Sequence, residues 1–500
     1  MDHLKPGVCP RFQFRGLRVA AAAVVLASAC TPPGHGPAAP APSAAIRWEP
    51  GTITAADSAR VPVEFGELQL PQVRGGGTAH SPVTLRLVRF RSSSSTPGAP
   101  IIYLSGGSGS GIAAARGPRL PLFRRLSELG DVIAIDLRGA GRSEPRIACP
   151  EGEPLPVAVP IVHDTLTAIL GRNARACAAA LRSAGVAPEG FNVREIVADV
   201  EAVRAALGAP RVRLWGISTG SQLGLEYIRR HPRHVESAVL AGVQAPDQML
   251  DMPAEHDRVI HALEAALAAA APSDTAAKLV PLLRTVFAAL DAAPQRVSVQ
   301  DRRSGSAVTV GLGKTDAQFL VAGTLGDRRQ MAMLPTAFGA AARGDYRMLA
   351  AFKLEGLRGG ITSPYEALSD CQVPVSSGRR ARVESQAGAA LLGRATLDFP
   401  DACAGWGVAP LPASYGEPVR SSVPVLLISG TLDGRTTVEN AEAALRGLAN
   451  GSHLVVEGAS HGDDLFLSTP EIAQVIQGYF QGERGPRTRS LRVSPPRANR

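Results

Sequence analysis

The sequence predicts an α/β chain, a mostly parallel, doubly wound sheet interrupted once by an inserted helical cap. Three observations predict it. Apolar strand-like runs alternate with helical stripes from about residue 99 to 243. The alternation stops between Gln248 and Leu411, where the chain turns Ala-rich with helical period, and resumes at Val423. The stretch from Arg211 to Ser221 passes from strand to helix through Gly216-Ile217-Ser218-Thr219-Gly220. That is a G-x-S-x-G pattern in the strand–turn–helix setting that gives it meaning.

The first 30 residues read as an export signal. Lys5, Arg11, Arg15 and Arg18 precede an apolar run, Val19 to Leu26, too short to span a bilayer comfortably. Ala27-Ser28-Ala29 fits a cleavage site, and Cys30 behind it resembles a bacterial lipoprotein attachment cysteine, although Ala27 stands where Leu is usual. Both fates of Cys30, loss and lipidation, stay open; lipidation would anchor the chain to a membrane. Thr31 to Ala45 carries five prolines and reads as an extended tether.

Folded sequence is expected from near Trp48. Val61–Leu70 and Val83–Phe90 have strand character, with turn residues at Gly75-Gly76-Gly77. Ala99–Leu104 is a buried strand running into the Gly/Ser loop 105–111. A helix over about 120–129, a strand over Asp131–Asp136 and the segment Leu137-Arg-Gly-Ala-Gly-Arg-Ser143 follow. Asn192 with Glu195 forms a capping box for a helix reaching Leu207. The elbow strand, its helix to His231-Pro232, and the strand Ser237–Val243 complete the first part. Cap helices are expected near 254–270, 275–291, 315–324 and 329–342. The strand Val423–Ser429, a helix near 437–448, the strand His453–Val456 and a helix near 470–480 close the sheet domain. The organisation is therefore a signal over 1–30, a linker over 31–46, a sheet domain over 47–247 and 416–482, a cap over 248–415, and a basic tail over 483–500 expected to be disordered.

The net charge of +9 does not mark a nucleic-acid binder. The excess lies in the N-terminal signal and in six arginines after Glu483, and the body between them is formally neutral. The loop at Gly107 lacks the final Gly of a dinucleotide fingerprint, and Val308 stands where the P-loop that Gly313-Lys314-Thr315 suggests needs its first Gly. No Cys/His spacing suggests a metal, and no cofactor is expected.

A serine nucleophile needs a base, and the base needs an acid to orient it. The resumed strand ends in Gly430-Thr-Leu-Asp433-Gly, and the last strand ends in Gly458-Ala-Ser-His461-Gly. Ser218, Asp433 and His461 then follow one another in the order Ser–Asp–His, each at a strand's C-terminal end. Asp463 and Asp464 are rival acids, disfavoured by their closeness along the chain to His461, and His453 is the second-ranked base. Gly106-Gly107 after the buried strand lets backbone N–H groups approach an oxyanion. The expected pair of donors is Gly107 with Thr219.

On these segments the chain resembles the exported α/β-hydrolases related to proline iminopeptidase and the tripeptidyl aminopeptidases of actinobacteria, over roughly residues 48–482. The resemblance rests on Gly106-Gly107, Asp136–Ser143, the elbow, Asp433 and His461. It departs at Ser108, where the family usually has Pro, at Thr219 for Tyr, and at Ser221 for Gly. It implies the α/β-hydrolase fold and an exported bacterial serine peptidase, secreted or lipid-anchored, that releases short peptides or N-terminal residues. A carboxylesterase with the same triad is the nearest alternative, and a non-catalytic binding protein on the same scaffold the more distant one. The partner implied is a small peptide or ester. With Cys9 and Cys30 set aside, Cys149, Cys177, Cys371 and Cys403 remain, and the residues leave three pairings open as well as four free thiols. The resemblance implies Cys149–Cys177 and Cys371–Cys403, each pair near in sequence. An aminopeptidase also needs a carboxylate for the substrate's ammonium. Among the cap's acids Glu255, Glu264, Glu355 and Glu366 are equal candidates on sequence.

Overall fold

Ten strands form one sheet in the order β1-β2-β3-β5-β4-β6-β7-β10-β11-β12. In chain order they are β1 (Arg47–Thr54), β2 (Arg60–Leu70), β3 (Val83–Phe90), β4 (Ile101–Leu104), β5 (Val132–Asp136), β6 (Val212–Ser218), β7 (Val235–Val243), β10 (Val425–Gly430), β11 (Gly451–Glu457) and β12 (Thr488–Arg492). The first three and β5 pair antiparallel, and all later pairs are parallel. The computed structural model describes residues 45–494 other than 57, 76–80, 271–277, 360–362 and 395–399. The expected export signal, nearly all of the linker, and Cys30 lie outside the described residues.

The strands alternate because side chains do. Ile102 and Leu104 face one core while Ile101 and Tyr103 face the other, and all four are fully buried. Both sheet faces are covered, as a parallel sheet requires. Trp215 on β6 packs against Tyr103, Phe123 and Phe466 with ring centroids 4.6, 4.7 and 5.5 Å away. This aromatic cluster fixes the strand that ends in Ser218. From β4 the chain moves outward to β5, then returns past β4 to β6, so the crevice between the ends of β4 and β6 is a topological switch point. Ligands of open α/β sheets bind at such a point.

Between β7 and β10 the insert holds helices at Pro253–Ala270, Leu279–Ala292, Lys314–Thr324, Leu334–Ala342, Arg347–Gly359, Pro364–Asp370 and Ser377–Ala387. It has its own apolar cluster around Leu263, Leu283, Phe287 and Phe338. Three expectations need correction. The helix expected over 329–342 is two helices, Arg328–Met331 and Leu334–Ala342, because Pro335 has no N–H to continue the first. The insert also carries a hairpin, β8 (Gln295–Gln300) with β9 (Ala307–Leu312), whose alternating valines and threonine give strand period within an Ala-rich region. The tail expected to be disordered forms β12 instead. His453 donates its N–H to Arg487 O at 2.8 Å, Val493 donates to Glu457 O at 2.9 Å, and Val493 is buried. Thr488, Ser490 and Arg492 take the exposed positions of β12 and leave the intervening Leu491 to pack against the core, and Arg492 pairs with Glu457 at 2.6 Å.

Candidate active site

Ser218 ends β6 with φ 56° and Thr219 opens the helix Thr219–Arg230. A left-handed φ on a residue with a Cβ costs on the order of 1 kcal/mol or more, so something must hold it. Ser221 does. Its hydroxyl donates to Ser218 O at 2.6 Å and accepts the N–H of Gln244 at 2.9 Å. The turn also needs glycine around it. A Cβ on Gly106 would lie 2.9 Å from the Ser218 Cβ, and one on Gly220 would run into Leu104 O. The close approach of the β4 loop to the elbow thus depends on residues without side chains.

Asp433 follows β10 and is completely buried. Its Oδ1 accepts the N–H groups of Arg435 and Thr436, both at 2.9 Å, and its Oδ2 accepts from Thr436 Oγ1 at 2.8 Å and His461 Nδ1 at 2.8 Å. The carboxylate can only accept, so the imidazole proton sits on Nδ1 and Nε2 is left free as a base. His461 follows β11 with its ring 17% exposed, open enough to reach a substrate. The ring lies against Gly242 at the end of β7, where a Cβ would be 2.8 Å from His461 Cε1. Val243, the next residue, pairs with Ser218. Ser218, Asp433 and His461 therefore gather at one end of the sheet. Among the described residues His461 is hydrogen-bonded to Asp433 but not to Ser218.

The rivals are occupied elsewhere. Asp463 pairs with Arg119 at 2.5 Å, and Asp464 with Arg328 at 2.8 Å. His453 lies within β11 with Nε2 2.7 Å from Ser429 Oγ, and burial holds its imidazole down from 6.5 to about 4. Thr436 and Ser221 were not expected as site residues; their hydroxyls hold Asp433 and the elbow.

Thr219 is the first residue of its helix and is buried, so its N–H has no acceptor within the helix. Gly107 faces the insert, where the Glu366 carboxylate fills the space that a Gly107 Cβ would occupy, and the Tyr365 ring lies on Gly109. Of the four candidate acids only Glu366 reaches the β4 loop. Glu255 bonds to Thr437 Oγ1 at 2.5 Å and burial raises its carboxyl. Glu264 accepts the Val280 N–H at 2.6 Å, and Glu355 lies 4.0 Å from Arg303. Cys149 with Cys177, and Cys371 with Cys403, stand at disulfide distance. Among the described residues one group, Glu201, His231 and His234, brings metal-type ligand atoms within 4.8 Å of one another, but Arg204 already grips its carboxylate at 2.7 Å.

The chain matches the alpha/beta hydrolase fold family over residues 99–463. It is similar to serine protease Hip1 of Mycobacterium tuberculosis, 27% identical over 175 residues that make up 33% of this chain and 32% of the relative. It is similar to a probable proline iminopeptidase of Streptomyces coelicolor, 30% identical over 148 residues, 29% of this chain and 33% of the relative. The matches thus span about a third of the length of these curated relatives. The crystal structure of the proline iminopeptidase of Mycobacterium smegmatis aligns with 83% of this chain and 98% of that one, at 17% identity and a TM-score of 0.38.

Proposed function

The chain belongs to the α/β-hydrolase fold family, and from that premise we propose that it is an exported serine hydrolase of the aminopeptidase kind. The observation that carries the reading is the 2.8 Å bond from His461 Nδ1 to buried Asp433, at the same sheet end as a left-handed Ser218. Ser218 Oγ attacks the substrate carbonyl carbon while His461 Nε2 takes its proton. Asp433 stays ionised and stabilises the imidazolium. The N–H groups of Gly107 and Thr219 receive the oxyanion, in a crevice where fixed donors cost no reorganisation. His461 then passes the proton to the leaving amine, and the C–N bond breaks. Water, deprotonated by His461, releases the acyl group and restores Ser218.

The substrate class rests on Glu366. A carboxylate beside the oxyanion loop suits a substrate ammonium group a short chain away from the scissile carbonyl, and the cap over the elbow favours chain ends over long polypeptides. The relatives named serine protease and proline iminopeptidase support the same class. Export follows from the Arg-flanked apolar run and Ala27-Ser28-Ala29-Cys30, with both cysteine pairs oxidised outside the cytoplasm and Cys30 either lost or lipidated.

The test is a paired assay of short peptides with free and acetylated N-termini at one pH. Acetylation is expected to cut kcat/KM by at least about tenfold, or about 1.4 kcal/mol of transition-state binding, and Glu366→Gln to remove most of that difference. Equal turnover of acetylated peptides, or turnover of simple esters alone, would replace the aminopeptidase reading with a carboxylesterase.

A further inference from the structure

The insert joins the sheet by two chain crossings, and the two meet. One leaves β7 through residues 244–252 and the other returns to β10 through 413–424. Between them lies a cavity of about 330 Å³. That volume is at the lower end of the range for small-molecule sites. Ala245 and Pro246 line it from the outgoing crossing, Pro418 and Val419 from the returning one, and Leu225 and Ala444 from the flanking helices. None of these side chains can hydrogen-bond. Gln248 also lines the cavity, but its amide is committed: Oε1 accepts the Ala245 N–H at 2.6 Å and Nε2 donates to Asn440 O at 3.1 Å.

The remaining polar groups of the lining are two arginines. Arg420 and Arg446 are exposed, and among the described residues neither guanidinium has an ion-pair or hydrogen-bond partner. No carboxylate lines the cavity. An apolar hollow with two uncompensated guanidiniums calls for a ligand with an apolar chain and an anionic head. Arginine's planar fork takes a carboxylate through two parallel bonds, stronger than those between neutral groups. We propose that this cavity is a binding site for a medium-chain fatty-acid carboxylate, separate from the Ser218 site. The C-terminus of an apolar peptide shares that chemistry, but the apolar side chains of the lining offer its amides no hydrogen bond. The position gives the ligand a consequence. Gln244, the residue before Ala245, donates its N–H to Ser221 Oγ, and Ser221 holds Ser218 O. An occupant therefore adjoins the bonds that keep the nucleophile in its turn.

The test is calorimetric titration of the full chain with octanoate, 1-octanol, acetate and acetyl-leucyl-leucine. Octanoate is expected to bind one molecule per chain, at least about tenfold more tightly than the other three. Replacing both arginines, Arg420→Gln with Arg446→Gln, is expected to erase that preference, and since both positions are exposed the variant keeps the fold. Ala444→Trp, which fills the cavity, is expected to abolish binding. Octanoate binding no tighter than octanol, equal in the double-glutamine variant, or surviving Ala444→Trp would overturn the proposal. Tighter binding of acetyl-leucyl-leucine would overturn the fatty-acid assignment.

Discussion

Thr436 does for Asp433 what Ser221 does for Ser218: a neighbouring hydroxyl bonds a group to which the proposed mechanism gives a role. Asp433→Asn should lower kcat by up to about 10⁴, since an amide facing Nδ1 selects the wrong imidazole tautomer. Thr436→Val should cost less, about tenfold to a hundredfold, with Thr436→Ser restoring most of it; steady-state kinetics of the three variants checks the ranking. Asp433 and His461 were legible because each follows an apolar strand in the order that the fold demands. Thr436 and Ser221 were not, because their partners are brought to them by the fold or by ordinary backbone groups. Glu366 could not be chosen from four acids, since the choice depends on where the helix Pro364–Asp370 lands. His453 supplies a pH dependence of a different kind. Its folded pKa, about 4, lies below the ordinary 6.5, so the unfolded chain binds the extra proton first and stability falls as pH drops through that window. Urea midpoints between pH 7 and 4 should fall less steeply for His453→Gln than for the parent.

Among the elements, the helix Pro364–Asp370 has the largest bearing on the site. It sets Tyr365 and Glu366 on the β4 loop and ends at Cys371, which stands at disulfide distance from Cys403. Cys403 lies in the turn Pro400–Trp406, which packs on the helix His163–Ser183, and Cys177 on that helix stands beside Cys149 in the loop that follows β5. Two cystines would thus tie the lid of the oxyanion loop back to the sheet. Replacing either pair with serine should lower stability by about 2–4 kcal/mol, and loss of Cys371–Cys403 should also raise KM for free-amine peptides; denaturant melts and kinetics separate the two effects. The strand β12 was missed for a compositional reason. A run rich in Arg and Pro reads as solvated, yet alternate residues can still pair and bury. Removing residues 484–500 would leave the β11 groups of His453 and Glu457 without their strand partners and expose Val493's site. A loss of about 2–4 kcal/mol in unfolding free energy is expected.

For the molecule as a whole, the sheet was the most legible part, because β4, β5, β6, β7, β10 and β11 are short apolar runs separated by helical stretches. The insert was legible as a break in that rhythm but not in its detail, since helix period alone hides a hairpin and says nothing of which residues reach the elbow. Charge carries a similar division: the basic excess lies at the two ends, and the body between them is formally neutral. Among the described residues no helix is long and apolar enough to cross a membrane. The proposed export has its own check: mass spectrometry of protein from its native host should find a mature chain starting at or just beyond Cys30. The central claim is that Ser218 is a nucleophile activated by His461 and Asp433. Its most direct test is reaction with a fluorophosphonate followed by peptide mapping of the parent, Ser218→Ala and His461→Ala proteins. The account predicts a single phosphonate adduct on Ser218 in the parent, none in Ser218→Ala, and strongly slowed labelling in His461→Ala. An adduct at another residue, or none on a folded parent chain, would contradict it.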